Sequence, residues 1–469
     1  MRGRRNEKPN RTEKAERNER TEAAEKDKIA AGASETAGKT VRPEWKKSSS
    51  LLRHPVFGRT FSAYSISVFG DWFDIIAIQV LIGYRWQASP LEIALVPVCM
   101  AVPGILLGSA AGAAADRVNR LKLMRVCDLL TALTTVAILL VPGIGWLLPL
   151  LALRAALGVF NMPAQQALTR RVVSEEQLLD ASSLNGLVSQ LSRIAGPLLG
   201  ASLLSVLSPQ ACILVNAVAR LVSYGILRTV SKDVDAERLG KLKGEAESGA
   251  KAKRTPFSVM LREGWIFVRR TPILMNLLLF ALVGMIVIQA IDFQFISLFR
   301  EIAPDSETAI GWLLAASGAS AAGVAVANMR FRPLRQAEYA LKLGLSYGLL
   351  GLSILLLALL PVGASGILII GIGLLLGAGN GLFLVTFNYA LQRETPSGMT
   401  GRVFGIQNTA LSAVMVAAPP LGGVLIERFG LSAVFAGAGL TVLLLGAAGF
   451  AFGRLWWPGA SIEAVDVQK

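Results

Sequence analysis

Twelve long apolar segments determine what this chain can fold into. A helix needs about 20 mostly apolar residues to cross roughly 30 Å of hydrocarbon, and only helices and closed barrels satisfy their whole backbone there. The segments are continuous and lack the alternation of apolar and polar residues that barrel strands require. They therefore predict an all-α integral membrane protein. The predicted spans are residues 57–83, 91–113, 122–142, 146–168, 184–207, 210–229, 273–299, 309–329, 340–361, 365–390, 403–426 and 431–454.

The charge of the chain is distributed as in a membrane protein. Of its 469 residues only 17% are charged, against about a quarter in soluble proteins. The net charge of +15 would also suit a nucleic-acid-binding protein, but the positive residues lie mainly in the first 50 residues and in alternate loops, as the positive-inside rule requires. We therefore expect no nucleic-acid partner and both termini in the cytosol. The basic loops contain Arg117, Arg120, Lys122, Arg125, Arg170, Arg171, Arg330, Arg332, Arg335, Arg393 and Arg402, and the opposite loops only Arg85, Arg300 and Arg428.

Residue types that bind metals, form disulfides or carry out hydrolysis are scarce in this chain. The three cysteines lie in or beside apolar segments without paired spacing, and His54 is the single histidine. This pattern predicts no metal, no cofactor and no disulfide. The chain lacks the H-E-x-x-H motif of metalloproteases, and its G-x-S-x-G match, residues 344–348, lies inside a predicted apolar span and not at the strand-to-helix turn that hydrolases use. We expect that it is not an enzyme.

The spans divide into two groups of six. A charged linker, residues 230–271, separates an N-terminal half (51–229) from a C-terminal half (272–456), with a disordered basic cytosolic tail at 1–50 and a second cytosolic tail at 457–469. An internal repeat agrees with this division: ALTR at 167–170 matches ALQR at 390–393, and GPLLG at 196–200 matches PPLGG at 419–423 at the same offset of 223 residues. A duplication of six spans explains the shared offset, although chance similarity between small-residue-rich helices remains an alternative.

The second span ends in a glycine stripe and a charged turn. Gly104, Gly108 and Gly112 lie on one helix face, where another helix can approach closely. Asp116, Arg117 and Arg120 follow in the turn. A simple positive-inside turn would explain the arginines but not the glycine and aspartate spacing. The G-x-x-x-D-R-x-x-R pattern resembles the signature of the major facilitator superfamily, and the resemblance implies that Gly112, Asp116, Arg117 and Arg120 form a gate between two six-helix halves on the cytosolic side. The turn after the eighth span lacks the aspartate.

Charged residues inside the spans are candidates for ion coupling. Tyr64, Ser67, Asp71 and Asp74 form one polar stripe on the first span. Two aspartates one turn apart in an apolar medium repel each other and are desolvated, which favours a protonated form. The alternative is permanent pairing with Arg154 of the fourth span or Arg220 of the sixth. Asp74 lies nearer the outer end of the first span. If water solvates its carboxylate there, Asp74 has no role in ion coupling.

Several further residues are candidates for the cavity, the gate or helix packing. Asp128 of the third span is predicted to join the gate network. The polar residues Tyr64, Ser67, Arg220, Gln289, Asp292, Gln294 and Asn388 are candidates to line a solute cavity between the halves, although each alone also fits a helix–helix hydrogen bond. Gly196, Pro197 and Gly200 of the fifth span predict a close helix crossing. In the superfamily, a similar glycine–proline motif is associated with exporters, and an arginine placed like Arg154 is linked to proton transfer.

The resemblance extends over most of the chain. LLRHPVF (51–57), SVFGDWF (67–73), NMPAQQ (161–166), EQL (176–178), GWIFVRRTP (264–272) and GRV (401–403) resemble the macrolide-efflux and enterobactin-exporter branch of the superfamily. This likeness implies a twelve-helix secondary transporter, a monomer of the bacterial inner membrane, that exchanges protons for amphipathic solutes such as drugs or siderophores. Asp71, Asp74 and Arg154 would then couple proton movement to transport. Two alternatives stay open: an uncoupled or lipid-type transporter of the same fold, and a non-transporting sensor or scaffold that uses the basic tail.

Overall fold

The computed structural model describes residues 51–230, 257–331, 338–396 and 399–457. The predicted N-terminal tail, the first part of the linker and most of the predicted C-terminal tail lie outside the described residues. The chain divides into two units, Met1–His54 and Pro55–Lys469, and the long helices belong to the second. Within the described ranges of that unit, all regular structure is helical.

Within the described ranges, twelve long helices correspond one to one to the predicted spans. They are α1 (Pro55–Val80), α2 (Pro90–Arg117), α3 (Arg120–Ile138), α4 (Ile144–Val172), α5 (Glu175–Leu204), α6 (Pro209–Thr229), α7 (Pro272–Asp292), α8 (Ala309–Arg330), α9 (Tyr339–Ala358), α10 (Gly366–Arg393), α11 (Thr400–Phe429) and α12 (Leu431–Ala451). In the described part of the chain, ten helices are long and apolar enough to cross a membrane, and eleven if the bent helix α5 is counted as one span. The remaining helix, α3, has four charged side chains among its 19 residues.

Local sequence signals explain where several of these helices begin. Ser89 caps α2 in a capping box: its side chain accepts from the backbone nitrogen of Glu92 at 3.3 Å, and the Glu92 carboxylate accepts from the Ser89 nitrogen at 2.8 Å. Asn119 caps α3 in a similar way, accepting from the nitrogen of Lys122 at 2.8 Å. Proline occupies the first turn of α2, α6 and α7, where its missing N–H costs nothing. These caps permit the short connections between spans.

Three predicted segments differ in detail from the structure. The first span continues past Val80 through a π-helical turn, Leu81–Arg85. The seventh predicted span, 273–299, is broken: α7 ends at Asp292 and a short helix, Phe295–Ile302, follows. The predicted linker contains a helix, Phe257–Arg270, which packs on α11 and pairs Glu263 with Arg402 at 3.0 Å. Hydropathy does not detect such breaks, because it averages over a whole span.

Each half has its own packing. In the N-terminal half α1 packs on α5 and α6, α2 on α4, and α3 on α4 and α6. In the C-terminal half α7 packs on α11, α8 on α10, and α9 on α10 and α12. The halves meet through α2 with α11 and through α5 with α8. These two helix pairs therefore determine how far the halves separate at either end.

The halves touch at the end of the bundle where α1 ends and α2 begins, which we call the closed end. There Gln294 donates to the carbonyl oxygen of Pro90 at 2.6 Å, and Arg300 donates to that of Ala88 at 3.1 Å. Tyr84 donates to the carbonyl oxygen of Ala303 at 3.1 Å. A core cluster that includes side chains of both halves surrounds these contacts. The closed end is thus sealed by apolar packing and by hydrogen bonds between the halves.

At the other end, which we call the open end, surfaces of the two halves lie apart. Leu106 of α2 is 70% exposed and Leu179 of α5 is 77% exposed. A Cβ built at Gly423 of α11 lies 3.0 Å from Ala94 of α2, near the closed end, whereas no described atom outside the helix's own backbone lies within 4 Å of a Cβ built at Gly108, Gly112, Gly186 or Gly405, towards the open end. The helices that join the halves at the closed end therefore diverge towards the open end, and the interior of the N-terminal half becomes accessible between them.

Candidate functional site

Five charged side chains meet inside the N-terminal half. Asp71 and Asp74 come from α1, Asp128 from α3, Arg154 from α4 and Arg220 from α6. Helix α6 packs on α1 and α3, and α4 packs on α3 and contacts α1, so residues far apart in the sequence become neighbours in the interior. A buried charge is tolerated only when it is paired, and the five residues form one continuous network.

Arg154 joins the two aspartates of α1. It pairs with Asp74, with a second nitrogen 3.0 Å from Asp74 Oδ1, and lies 3.6 Å from Asp71 Oδ1. Asn216 of α6 also donates to Asp74, at 2.7 Å. Asp74 is 0% exposed, so the expectation that it is solvated is wrong. Its helix continues for six more residues to Val80 and then through the π-helical turn Leu81–Arg85, and the side chains of Arg154 on α4 and Asn216 on α6 contact it.

Arg220 joins Asp71 to Asp128. One of its terminal nitrogens lies 2.7 and 2.5 Å from the two Asp71 oxygens, and the other lies 3.1 Å from Asp128 Oδ1. Asp128 also accepts from Ser223 at 2.6 Å and from Asn161 at 3.0 Å. The order of the network is therefore Asp74, Arg154, Asp71, Arg220 and Asp128, with each arginine between two carboxylates.

The network contains one more carboxylate than guanidinium groups. Arginine stays protonated in proteins, so three ionised aspartates would leave one uncompensated negative charge. One proton or one bound cation makes the set neutral. The Asp71 side chain is 39% exposed, against 0% for Asp74 and 2% for Asp128. Asp71 is therefore the member at which an incoming proton or cation would arrive.

Asp71 faces a cavity of about 360 Å³. All of its lining residues belong to the N-terminal half: Tyr64, Ser67, Val68, Asp71, Trp72, Ile75, Met124, Asp128, Gly158, Asn161, Met162, Gln165, Ser189, Ser192, Arg220 and Ser223. The buried hydroxyl of Ser67 has no hydrogen-bond partner among the described residues. The walls combine apolar side chains with an anionic patch, which can hold an amphipathic molecule that carries a positive group.

The four cavity candidates of the C-terminal half do not line this cavity. Gln294 is buried in the contact with Pro90 at the closed end. Asn388 donates to the carbonyl oxygen of Leu384 on its own helix at 2.8 Å. Gln289 is partly buried on α7, and Asp292, the last residue of that helix, has an exposed side chain. The sequence shows that these four residues are polar. The direction in which each side chain points depends on how its helix is rotated about its own axis.

The predicted gate residues are divided between two places. Arg117 is exposed at the end of α2, and Arg120 is buried at the start of α3. The side chain of Asp116 lies outside the described part of the structure. Asp128 differs from the prediction, since it joins Arg220 in the interior network. The reason is that α6 packs on α3 and brings Arg220 to it.

The predicted packing glycines also have different surroundings. A Cβ at Gly196 would lie 2.3 Å from the Trp72 side chain, and one at Gly200 would lie 2.6 Å from the Trp72 carbonyl oxygen. This part of α5, which includes Pro197, therefore lies directly on α1. The nearest atom to a Cβ at Gly104 is in Val159, at 3.9 Å, while Gly108 and Gly112 face open space. The α2 stripe thus has no close partner helix among the described residues in this conformation.

Sequence reasoning missed the neutral polar residues that complete the site. Asn216 and Ser223 lie on the same side of α6 as Arg220, at spacings of four and three residues, a pattern that could have been recognised as a polar stripe. Asn161 and Gln165 form a similar pair on α4. Such single residues are common in membrane helices, so only their convergence on the aspartates distinguishes them.

Comparison with known proteins identifies the family. The sequence model of the Major Facilitator Superfamily matches residues 60–419. The chain belongs to the Major Facilitator Superfamily. It is therefore a multi-pass membrane transporter of small solutes and not an enzyme, and the predicted fold is confirmed.

Individual relatives of this superfamily member span most of the chain. The uncharacterized MFS-type transporter YfiS of Bacillus subtilis (strain 168) is 29% identical over 394 residues, which cover 82% of this chain and 90% of the relative. The multidrug efflux pump Tap of Mycolicibacterium fortuitum is 26% identical over 417 residues, covering 84% and 94%. The crystal structure of the nucleoside transporter NupG has a TM-score of 0.62 at 10% identity, covering 85% of this chain and 99% of that chain. This last likeness shows the fold alone.

Proposed function

We propose that this transporter exports amphipathic small molecules, such as drugs or siderophores, across the bacterial inner membrane in exchange for protons. The observation that carries the proposal is the network of three aspartates and two arginines, in which Asp71 is exposed to the cavity. A site with one uncompensated negative charge takes up either a proton or a cation. Competition between a proton and a cationic solute for Asp71 is sufficient to exchange one for the other across the membrane.

The charged loops support export as the direction of transport. The open end carries Arg117, Arg120, Arg170 and Arg171, whereas Arg85, Arg300 and Arg428 lie at the closed end. By the positive-inside rule the open end faces the cytosol. The cavity is then accessible from the cytosol, as the loading state of an exporter requires. The name of the relative Tap, a multidrug efflux pump, agrees with this direction.

The proposed cycle uses Asp71 as the exchange point. A cationic amphipathic solute enters from the cytosol, places its apolar part against Trp72 and Met162, and displaces a proton from Asp71. The halves then rock: the contacts at the closed end open, and the gate residues Arg117 and Arg120 come together with Asp116. Outside protons reload Asp71 and release the solute. Throughout, Arg154 keeps Asp74 paired and Arg220 keeps Asp128 paired.

Transport without proton coupling is the second candidate. Both oxygens of Asp71 already lie within 2.7 Å of Arg220, and such a pair is stable without any proton. In that case the network shapes the bundle, and solutes or lipids cross down their own gradients. The non-transporting sensor depends on residues 1–50, which lie outside the described structure.

The test is proton movement into liposomes that contain the purified transporter, under an imposed pH gradient, with a panel of amphipathic cations. We expect solute-dependent proton movement in the wild type, none in Asp71→Asn, and wild-type behaviour in Asp305→Asn, which alters an exposed loop aspartate. Proton movement that persists in Asp71→Asn would exclude Asp71 as the coupling site. Solute movement without proton movement in the wild type would favour the uncoupled transporter.

A further inference from the structure

A second cavity lies beside the first, between α1, α4 and α5. Its volume is about 440 Å³. Its lining residues are Tyr64, Met162, Gln165, Gln166, Thr169, Arg170, Leu178, Ser182, Asn185, Gly186 and Ser189. Four of these, Tyr64, Met162, Gln165 and Ser189, also line the first cavity. The two spaces therefore share a wall, and one elongated molecule can occupy both.

The second cavity has a different chemical character from the first. Among the described residues, its lining contains no carboxylate and one charged side chain, that of Arg170, which is exposed near the end of α4. Most of the polar lining consists of neutral amides and hydroxyls. Amides and hydroxyls both donate and accept hydrogen bonds. Such a surface suits hydroxyl and carbonyl groups, and none of its described lining residues is anionic.

The amides of the second cavity are incompletely hydrogen-bonded. Gln165 is 5% exposed, and its Nε2 donates to Asn185 Oδ1 at 3.4 Å. Asn185 donates in turn to Thr169 Oγ1 at 3.5 Å. Both distances exceed the usual 2.7–3.2 Å. Buried polar groups are normally well paired, so these amides have donors and acceptors left for another molecule.

We infer that the second cavity is a subsite for a neutral, oxygen-rich part of the solute, while the first cavity takes its amine. The inference rests on the proposed function, because it places the positive group at Asp71. It narrows the solute class to amphipathic amines that carry a hydroxylated or carbonyl-rich substituent. A site built to hydrogen-bond such groups discriminates strongly against an analogue that lacks them, because its own polar groups are then left unpaired.

Two probes test the inference. N-octyl-N-methylglucamine carries a tertiary amine, an alkyl chain and a polyhydroxylated chain, and N-hexyl-N-methyloctylamine has the same skeleton without hydroxyl groups. Their affinities are measured on the full-length transporter in nanodiscs, and the ratio of the two is compared between variants. Because each ratio compares the same two compounds, their different partitioning into lipid cancels.

We expect Asn185→Leu to weaken binding of the glucamine about 10-fold or more, with the affinity of the hydroxyl-free amine changed by less than about 3-fold. Ser189→Ala should shift the ratio in the same direction by a smaller factor, and it removes so little volume that folding is preserved. Ser183→Ala is the matched control, since Ser183 is exposed on α5, bonds to the carbonyl oxygen of Leu179 and lines neither cavity.

The measured ratios distinguish an incorrect subsite inference from an incorrect proposed function. If Asn185→Leu and Ser189→Ala leave the ratio of affinities unchanged, the second cavity holds only water and the inference is wrong. If Asp71→Asn leaves both affinities unchanged, the amine does not bind at Asp71. The ratio measured in Asn185→Leu still reports on the hydroxyl subsite in that case.

Discussion

The two halves of the bundle are built by different means. The interior of the N-terminal half contains five charged side chains and both cavities. In the described part of the C-terminal half, α9 and α12 instead pack backbone against backbone at Gly344, Gly351, Gly439 and Gly446. A series of rings, Phe280, Tyr347, Phe383 and Phe387, fills the adjacent space. The two cavities thus adjoin the charged residues of the N-terminal half, whereas α9 and α12 of the C-terminal half pack closely against each other.

The difference shows how each half tolerates change. A buried ion pair depends on both partners, and removal of one leaves a charge in an apolar medium. A glycine contact depends on the absence of atoms, and it fails when a methyl group is added. The charged network of the N-terminal half should therefore be sensitive to loss of charge, and the contact between α9 and α12 of the C-terminal half to gain of volume.

The largest effect is expected from breaking the pair inside the N-terminal half. Arg154→Leu leaves Asp74, which is fully buried, without its counter-ion. We expect a loss of about 3–5 kcal/mol in the free energy of unfolding, measured as thermal unfolding of the purified protein in detergent. The double variant Arg154→Leu, Asp74→Asn should recover most of that loss, because no unpaired charge remains. If the single variant is as stable as the double, Asp74 does not depend on Arg154.

An intermediate effect is expected from adding one methyl group to the C-terminal half. A Cβ at Gly351 would lie 2.3 Å from the backbone nitrogen of Leu443 and 2.7 Å from the carbonyl oxygen of Gly439. We expect Gly351→Ala to cost about 1–3 kcal/mol by overpacking, again measured by thermal unfolding. Gly348→Ala is the control on the same helix, where no described atom outside the helix's own backbone lies within 4 Å of the added Cβ. Its stability should stay equal or rise by less than about 1 kcal/mol, since alanine favours the helix. Equal losses at both positions would contradict backbone-to-backbone packing.

The smallest effect is expected for the ion pair between the halves at the closed end. Arg85 and Glu307 lie 3.4 Å apart, with side chains 50% and 39% exposed. Water screens such a pair, so a double-mutant cycle of Arg85→Gln and Glu307→Gln should give a coupling energy below about 1 kcal/mol. Thermal unfolding of the four proteins supplies the cycle. A coupling as large as that between Arg154 and Asp74 would mean that burial does not distinguish the two pairs.

The sequence predicted the components of the candidate site better than their arrangement. Asp71, Asp74, Arg154 and Arg220 were all identified, because a charged residue is conspicuous in an apolar span. Their connections were left open, since pairing depends on which helices are neighbours and how each is rotated. Asp128 was assigned to the gate for this reason, and Gln165 and Asn185 were missed because neutral polar residues in a helix usually have only a local role.

The sequence by itself determined that the chain spans a membrane with long helices, where most of them begin, and to which superfamily it belongs. Hydropathy sums over about 20 residues and caps act within four, so both are encoded locally. Only the tertiary structure decided that Asp74 is buried while Asp71 faces a cavity, that the halves part at one end, and that a second cavity adjoins the first. Those properties depend on contacts between residues as distant in the sequence as Asp71 and Arg220, and no local pattern specifies which surfaces of two helices will meet.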